Sequence, residues 1–153
     1  MMPFISLNSL VGPLTIFADD DAIVAVDWGW PPETDEPPGE LLERARDQLQ
    51  AYFEGTLKQF DLPLAPHGTT FQRKVWAAIA AIPFGKARTY GDLARELGTA
   101  PRPLGGACGR NPIPIIIPCH RVLGLNGSLG GYSGMDGLDT KRALLSLEGV
   151  SLP

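Results

Sequence analysis

A cysteine and a histidine stand side by side in the sequence Pro118-Cys119-His120-Arg121, directly after the apolar run Ile115-Ile116-Ile117. The thiolate is the reactive form of cysteine, and a basic neighbourhood lowers the thiol pKa from its ordinary value of about 8.5. The β-branched run indicates a buried strand leading to the thiol. The pair is therefore a candidate activated nucleophile. Taken alone, however, the two residues favour a buried structural cysteine, so the rest of the chain has to decide.

The two cysteines of the chain, Cys108 and Cys119, are expected to be free thiols in a reducing cytoplasm. The first ten residues lack a basic segment ahead of an apolar core, so no signal peptide is predicted. No apolar run approaches the roughly 20 residues of a membrane span. A Cys108–Cys119 disulfide is an alternative, but it would consume the candidate nucleophile. The cysteines and the two histidines do not have a zinc-site spacing, so we predict no metal and no cofactor.

The formal net charge of −4 over 153 residues is unevenly divided along the chain. Residues 1–66 hold three basic and twelve acidic residues, for a net charge of −9, whereas residues 67–153 hold ten basic and five acidic ones, for +5. This asymmetry predicts an acidic scaffold domain over 1–66 and a basic working domain over 67–153. Chance unevenness of surface charge is the alternative explanation.

The periodicity of apolar residues predicts an α+β fold. Three short apolar segments predict a small antiparallel meander: Ile5–Leu10, Leu14–Ala18 and Ala22–Trp28. Residues 40–54 carry apolar side chains at helical spacing. The second half is mostly helical, with helices predicted from Thr69 or Thr70 to Ile82, from Thr89 to Gly98, from Pro103 through Cys108, and from Leu138 to Glu148. The two short middle helices, joined by a glycine-bearing turn, indicate a helix-turn-helix.

The segment Asn111–Val122, with the sequence NPIPIIIPCHRV, resembles the active-site signature of the O6-alkylguanine-DNA alkyltransferases. Further pieces of the chain are similar to the same family: Gly68–Gln72, Ile82–Gly85, Thr89–Gly91, Arg102–Ala107, Tyr132–Gly134 and Glu148–Gly149. The resemblance implies irreversible transfer of a methyl or larger alkyl group from O6-alkylguanine, and by extension O4-alkylthymine, in double-stranded DNA to the protein's own cysteine. It also implies a ribonuclease-H-like N-terminal scaffold domain and a monomer with no obligate protein partner.

The resemblance implies a chemical role for five residues. Cys119 is the alkyl acceptor, and His120 takes its proton through a water molecule. Such a water is reasonable because adjacent residues of an extended chain point to opposite sides. Glu148 orients the imidazole and stabilises its positive charge. Asn111 holds the turn before the active-site segment, and the hydroxyl of Tyr132 protonates the departing guanine.

An alkylated base inside a duplex has to be extruded before it can react. The resemblance implies that Tyr90 crowds the target phosphate and that Arg102 enters the stack in place of the base, from a helix in the minor groove. The remaining expected contacts are Gly105, Gly106 and Ala107, whose lack of bulk lets the backbone approach DNA, Ser133 beside the guanine, Pro112 and Pro114 in the pocket wall, and Lys86, Arg88, Arg95 and Arg110 at phosphates.

Two other function classes compete with this interpretation. Alkyltransferase-like proteins bind damaged DNA without transfer and replace the acceptor cysteine, so the presence of Cys119 argues against that class. A cysteine hydrolase with a Cys119-His120-Glu148 triad would leave Tyr90 and Arg102 without a purpose. The first half also lacks the paired cysteines of regulatory family members, so a transcriptional role is not expected.

Overall fold

The chain divides into two compact units, Met1–His67 and Gly68–Pro153, and the predicted boundary lies one residue from this division. The computed structural model describes residues 2–19, 21–31, 33–34, 36–130 and 137–151. The fold is α+β, as the sequence predicted, with an antiparallel sheet in the first unit and mostly helices in the second. Among the described residues, no helix is both long and apolar enough to span a bilayer.

The first unit is built on a three-stranded antiparallel meander with strand order β1-β2-β3. The strands are β1 (Phe4–Ser9), β2 (Gly12–Ala18) and β3 (Ile23–Trp28). A two-residue turn links the first two strands, and the Ser9 hydroxyl braces it by donating to the Gly12 carbonyl at 2.8 Å. The three predicted strands are confirmed, with ends shifted by one or two residues.

The helix α1 (Glu40–Phe53) covers this sheet through contacts with β1 and β2. Its buried side chains recur every three or four residues, at Leu42, Ala45, Leu49 and Tyr52. This spacing places an apolar stripe on one face of the helix, so burial against the sheet holds the helix in place. Tyr52 is fully buried, and its ring lies 5.5 Å from that of Phe60.

The second unit begins with α2 (Thr70–Ala80), which starts at one of the two predicted positions and ends two residues before the predicted end. The Thr69 side chain accepts from the Gln72 amide at 3.0 Å, and the Gln72 side chain accepts from the Thr69 amide at 2.9 Å. This capping box satisfies two otherwise orphan donors. The buried indole of Trp76 donates to the Ala107 carbonyl at 2.9 Å, which ties α2 to a later helix.

A helix-turn-helix follows, formed by α3 (Tyr90–Leu97) and α4 (Pro101–Gly109), which pack against each other. Thr89 caps α3 in a second capping box, and Gly98 ends it with φ 67°, a left-handed conformation that glycine adopts without steric cost. The predicted start of the next helix at Pro103 is wrong. The helix begins at Pro101, since a proline in the first turn sacrifices no intrahelical hydrogen bond.

Two short parallel strands and a final helix complete the unit: β4 (Arg88–Thr89), β5 (Val122–Leu123) and α5 (Leu138–Leu147). The pairing of β4 with β5 joins the segment just before Tyr90 to the segment just after Arg121. It therefore fixes the start of α3 relative to the candidate nucleophile.

Candidate active site

The segment ahead of Cys119 is a tight loop, so the expectation of a strand over Ile115–Ile117 is wrong. Ile115 has φ 75°, a left-handed conformation that a β-branched residue rarely adopts. The prolines around it remove backbone donors, and the Asn111 side chain supplies bonds in their place. Its Oδ1 accepts from the Ile113 amide at 2.9 Å, and its Nδ2 donates to the Ile117 carbonyl at 2.8 Å.

Cys119 and His120 lie in a 3₁₀ turn over Cys119–Arg121, which packs against α2 and α5. The argument that the two side chains diverge along an extended chain therefore does not apply. Cys119 is 7% exposed and His120 is fully buried. The turn starts at the same carbonyl that Asn111 holds, because the Cys119 amide donates to Ile117 at 2.8 Å. Asn111 thus fixes where the thiol stands.

Glu148, at the end of α5, meets the imidazole of His120 inside the protein. The distance between His120 Nε2 and Glu148 Oε2 is 2.7 Å, and neither side chain is exposed. An ionised carboxylate only accepts hydrogen bonds, so Nε2 carries the proton and Nδ1 of the neutral ring holds a lone pair. Nδ1 is buried and has no hydrogen-bond partner among the residues that the structure describes.

Arg121 holds the same carboxylate from a second side. Its Nε donates to Glu148 Oε1 at 2.7 Å, its Nη2 to Oε2 at 3.0 Å, and its Nη1 to the Ile82 carbonyl at 2.6 Å. The guanidinium also lies 5.9 Å from the ring centre of Phe84. A bidentate pair of this kind fixes the carboxylate in one orientation.

Burial lowers the pKa of His120 below its ordinary value, and the hydrogen bond to Glu148 offsets this effect only in part. The Arg121 guanidinium acts in the same direction as burial. Glu148 favours the charged imidazole through its hydrogen bond and its charge, but burial outweighs both effects on the pKa of His120. The ring is therefore neutral near pH 7 and suited to accept a proton.

Lys141 and Tyr90 lie near each other and interact electrostatically with both thiols. Lys141 is fully buried, and its Nζ donates to the Val122 carbonyl at 2.6 Å and lies 5.9 Å from the ring centre of Tyr90. Burial lowers the pKa of Lys141 to about 8, although the nearby thiols of Cys119 and Cys108 favour its charged form. Burial raises the pKa of Tyr90 to about 12, so its phenol stays protonated.

An open groove of about 750 Å³ lies at the start of the helix-turn-helix. Three segments line it: the first two turns of α3 with the residue before them, the first two turns of α4, and a turn that follows β5. Its lining residues are Thr89, Tyr90, Gly91, Arg95, Pro101, Arg102, Gly105, Leu125 and Asn126. We call this feature the α3–α4 groove. Its exposed arginines make it suited to a polyanion.

Two family models match nearly the whole chain. The DNA-binding domain of 6-O-methylguanine DNA methyltransferase matches residues 70–150, and the ribonuclease-like domain of the same enzyme matches residues 3–66. The chain belongs to the 6-O-methylguanine DNA methyltransferase family.

Individual family members resemble the chain over almost its full length. A methylated-DNA–protein-cysteine methyltransferase of Methanosarcina acetivorans is 44% identical over 156 residues, which cover 97% of this chain and 99% of the relative. A protein of the same name from Mycobacterium tuberculosis is 41% identical and covers 100% of this chain and 96% of its own length. The crystal structure of M. tuberculosis OGT in complex with DNA matches with a TM-score of 0.84 at 41% identity, covering 95% of this chain and 91% of that one.

The residues that the family resemblance singled out fall into two places in the described structure. Cys119, His120, Glu148 and Asn111 come together around the 3₁₀ turn, with Pro114 buried in the loop before it. Tyr90, Arg102 and Gly105 line the α3–α4 groove. Gly106 and Arg110 are exposed on α4. Tyr132 and Ser133 lie outside the described residues.

Three of the expected DNA contacts have other partners within the protein. Ala107 is 4% exposed and its carbonyl is bonded to Trp76, so its small side chain fills the core and opens no path to DNA. Arg88 and Arg95 are each paired within the protein, with Glu96 at 3.1 Å and with Asp92 at 2.6 Å. Their charges are thus partly neutralised before any phosphate arrives.

The sequence predicted no role for Arg121 or Lys141, although both are buried charged residues in the described part of this protein. The signal for Lys141 was its spacing: Lys141, Leu144, Leu145 and Glu148 share one face of α5. A lysine on an otherwise apolar face next to a known site residue indicates a buried functional group. No comparable pattern pointed to Arg121, whose partner is 27 residues away in sequence. Within the described residues, no group of three or more metal-ligating side chains is present.

Proposed function

We propose that this chain repairs DNA by moving the alkyl group of O6-alkylguanine irreversibly onto its own Cys119. One observation carries the proposal. His120 presents a lone pair at Nδ1 because Glu148 accepts from Nε2 at 2.7 Å, and this ring directly follows the cysteine. A neutral, oriented imidazole beside a thiol is the arrangement that generates a thiolate. The methylated-DNA–protein-cysteine methyltransferase names of its relatives support the same reaction.

The reaction begins with removal of the Cys119 proton. Nδ1 of His120 accepts this proton through a bridging water, and Glu148 stabilises the imidazolium that forms. The buried ammonium of Lys141 is close enough to Cys119 to favour the thiolate. The sulfur then attacks the alkyl carbon, so an S–C bond forms while the C–O6 bond breaks. The electron pair of that bond leaves with the guanine, which gains a proton from the hydroxyl of Tyr132.

The product explains why each protein molecule acts once. A thioether on Cys119 offers water no good leaving group, so the sulfur is not regenerated. Each protein molecule is therefore consumed by the one alkyl group that it removes. Cys119 also separates this chain from damage-binding relatives that lack the acceptor, and the transfer test below separates the two functions directly.

The substrate reaches the thiol by rotation out of the duplex. The α3–α4 groove supports this step, because Tyr90 and Arg102 line it together and Gly105 leaves its wall low. Arg102 fills the space of the extruded base, and Tyr90 displaces the target phosphate. O4-alkylthymine is a second proposed substrate. We propose that the protein acts as a monomer, with duplex DNA as its partner.

The test is incubation with a duplex oligonucleotide that carries one O6-methylguanine, followed by peptide mass spectrometry. We expect one added methyl group on the peptide that contains Cys119, in a yield no greater than one per protein. Cys119→Ala should abolish transfer and still bind the duplex. Folded wild-type protein that binds the duplex without gaining the methyl group would show a damage-binding protein instead.

Cys108 provides the matched control for the acceptor. Burial raises the pKa of Cys108 to about 12, so its thiol stays protonated and unreactive near pH 7. Cys108→Ser should leave methyl transfer in place. A methyl group found on Cys108 in the wild type would overturn the assignment of the acceptor.

A further inference from the structure

A large apolar side chain stands in the open at the edge of the α3–α4 groove. Leu125 is 84% exposed, more than any other large apolar residue that the structure describes. Single exposed leucines are common on protein surfaces and need no explanation by themselves. Leu125 differs because it lines the groove together with Tyr90 and Arg102, the two residues proposed to act on the extruded nucleotide.

The turn that carries Leu125 is well braced. The Gly124 amide donates to the Ser128 carbonyl at 2.8 Å, and the Ser128 amide donates to the Leu125 carbonyl at 3.2 Å. Asn126 takes the left-handed conformation, with φ 59°, that tightens the turn. Leu125 is therefore presented outward by a fixed backbone.

The same turn is anchored beside Tyr90. A Cβ added at Gly130, which has φ 71°, would come within 3.4 Å of the Tyr90 ring and 3.5 Å of Lys141 Nζ. At these distances the added Cβ would make ordinary van der Waals contacts with both side chains, and the positive φ is what favours glycine here. On the other flank, β5 pairs with β4, whose last residue precedes Tyr90. Both attachments fix the turn relative to the start of α3.

We propose that Leu125 is an apolar DNA contact that enters the minor groove beside Arg102 and helps to unstack the target nucleotide. The inference rests on the proposed function, since it requires a duplex in the α3–α4 groove. The arginines of the groove favour a polyanionic occupant, and proteins that kink DNA from the minor groove insert leucine and similar side chains between base steps. The side chain would lose its contact with water only when the duplex is bound.

Three variants at this position separate an apolar contact from simple occupancy. Leu125→Ala removes the side chain, Leu125→Asn keeps its approximate size but makes it polar, and Leu125→Met keeps it apolar. Each is compared for methyl transfer from a duplex and for reaction with the free base O6-benzylguanine. Leu10→Ala is the matched control, because Leu10 is also an exposed leucine in a turn, at 56%, but lies in the other unit.

We expect the ratio of the duplex rate to the free-base rate to fall about tenfold in Leu125→Ala and Leu125→Asn, because each loses most of one buried leucine contact. Leu125→Met and Leu10→Ala should keep the wild-type ratio. An unchanged ratio in Leu125→Ala would overturn the inference. Equal behaviour of Leu125→Met and Leu125→Asn would also overturn it, since polarity would then have no effect.

A binding measurement keeps the inference testable apart from the chemistry. In a Cys119→Ala background, fluorescence anisotropy with a labelled O6-methylguanine duplex should show weaker binding when Leu125→Ala is added, by about tenfold. If the wild type transfers no methyl group but Leu125→Ala still weakens duplex binding, the proposed function fails and the contact stands. If transfer occurs and the affinity does not change, the contact fails alone.

Discussion

Charged side chains have opposite surroundings in the α3–α4 groove and in the buried polar cluster of His120, Arg121 and Glu148. In the cluster, Glu148 has no exposed side-chain surface and receives hydrogen bonds from both His120 and Arg121. In the groove, Arg102 is exposed, and Arg95 pairs with Asp92 while its side chain stays 77% exposed. A buried charged side chain needs a partner within the protein, whereas a solvated one is stabilised by water until a ligand binds.

The comparison teaches where rigidity is needed. A proton transfer depends on one orientation of the imidazole, and the cluster fixes it with several short bonds before any substrate arrives. Duplex recognition depends on many phosphates and on bending, so exposed side chains with freedom to move are adequate. A loss in the cluster should therefore damage the fold and the chemistry together, while a loss in the groove should lower binding of the duplex and transfer from it without damaging the fold.

Among changes in the buried polar cluster, we expect Glu148→Gln to lower stability and methyl transfer the most. The variant leaves the buried Arg121 guanidinium without its carboxylate, and removing one partner of a buried ion pair costs about 3–5 kcal/mol of unfolding free energy. Urea unfolding should show this loss, and methyl transfer should fall with it, since an uncharged amide no longer stabilises the imidazolium of His120.

Asp139→Asn is the control for that prediction. Asp139 also pairs with an arginine on α5, Arg142 at 3.3 Å, but its side chain is 83% exposed. Exposed pairs contribute roughly 0–1 kcal/mol, so this change should be small. Similar losses in the two variants would mean that burial does not distinguish the pairs.

Arg102→Ala tests the role of the α3–α4 groove in extruding the base. We expect transfer from duplex DNA to fall by roughly tenfold to hundredfold, because unstacking a base costs a few kcal/mol and the arginine compensates it. Reaction with free O6-benzylguanine should fall much less, and urea unfolding should match that of the wild type. Equal losses on both substrates would refute the extrusion role of the arginine.

A smaller effect, the pH dependence of stability, sharpens the contrast further. The folded pKa of His120 lies below its ordinary value, so below about pH 6.5 the unfolded chain takes up a proton that the folded protein does not. Stability is therefore fully present above that pH and is lost as the pH falls toward the folded pKa, with a slope of at most about 1.4 kcal/mol per pH unit.

Urea unfolding between pH 5 and pH 8 measures this slope. His120→Gln removes the titrating group, so the difference between wild type and variant should grow smaller as the pH falls. A wild-type curve parallel to that of His120→Gln across this range would show that the imidazole binds its proton equally well in both states.

Local signals in the sequence predicted most of the elements. Both threonine capping boxes and the left-handed Gly98 act within a few residues, so the start of α2 and both ends of α3 follow from the chain alone. The loop before Cys119 did not follow, because isoleucine favours strands, whereas a hydrogen bond from the Asn111 side chain, six residues away, holds Ile117 in a loop. The residue types of the segment do not predict this hydrogen bond.

The site residues likewise divide into those that the sequence predicted and those that only long-range contacts reveal. The family signature gave Cys119, His120 and Glu148, and the described structure brings the last two together at 2.7 Å. It gave no role to Arg121, because the bond that defines it joins positions far apart in sequence. The burial of Ala107 was not predicted for a related reason, because nothing near it in the sequence shows that its face of α4 packs against Trp76.

Trp76 has an optical consequence. It is the single tryptophan among residues 68–153, since the other two are Trp28 and Trp30. Its indole is 2% exposed and bonded to the backbone of α4, so its emission spectrum reports the integrity of that helix. With Trp28 and Trp30 replaced by phenylalanine, the intrinsic fluorescence of the protein becomes a label-free signal for the second unit alone, in unfolding and in DNA titrations alike.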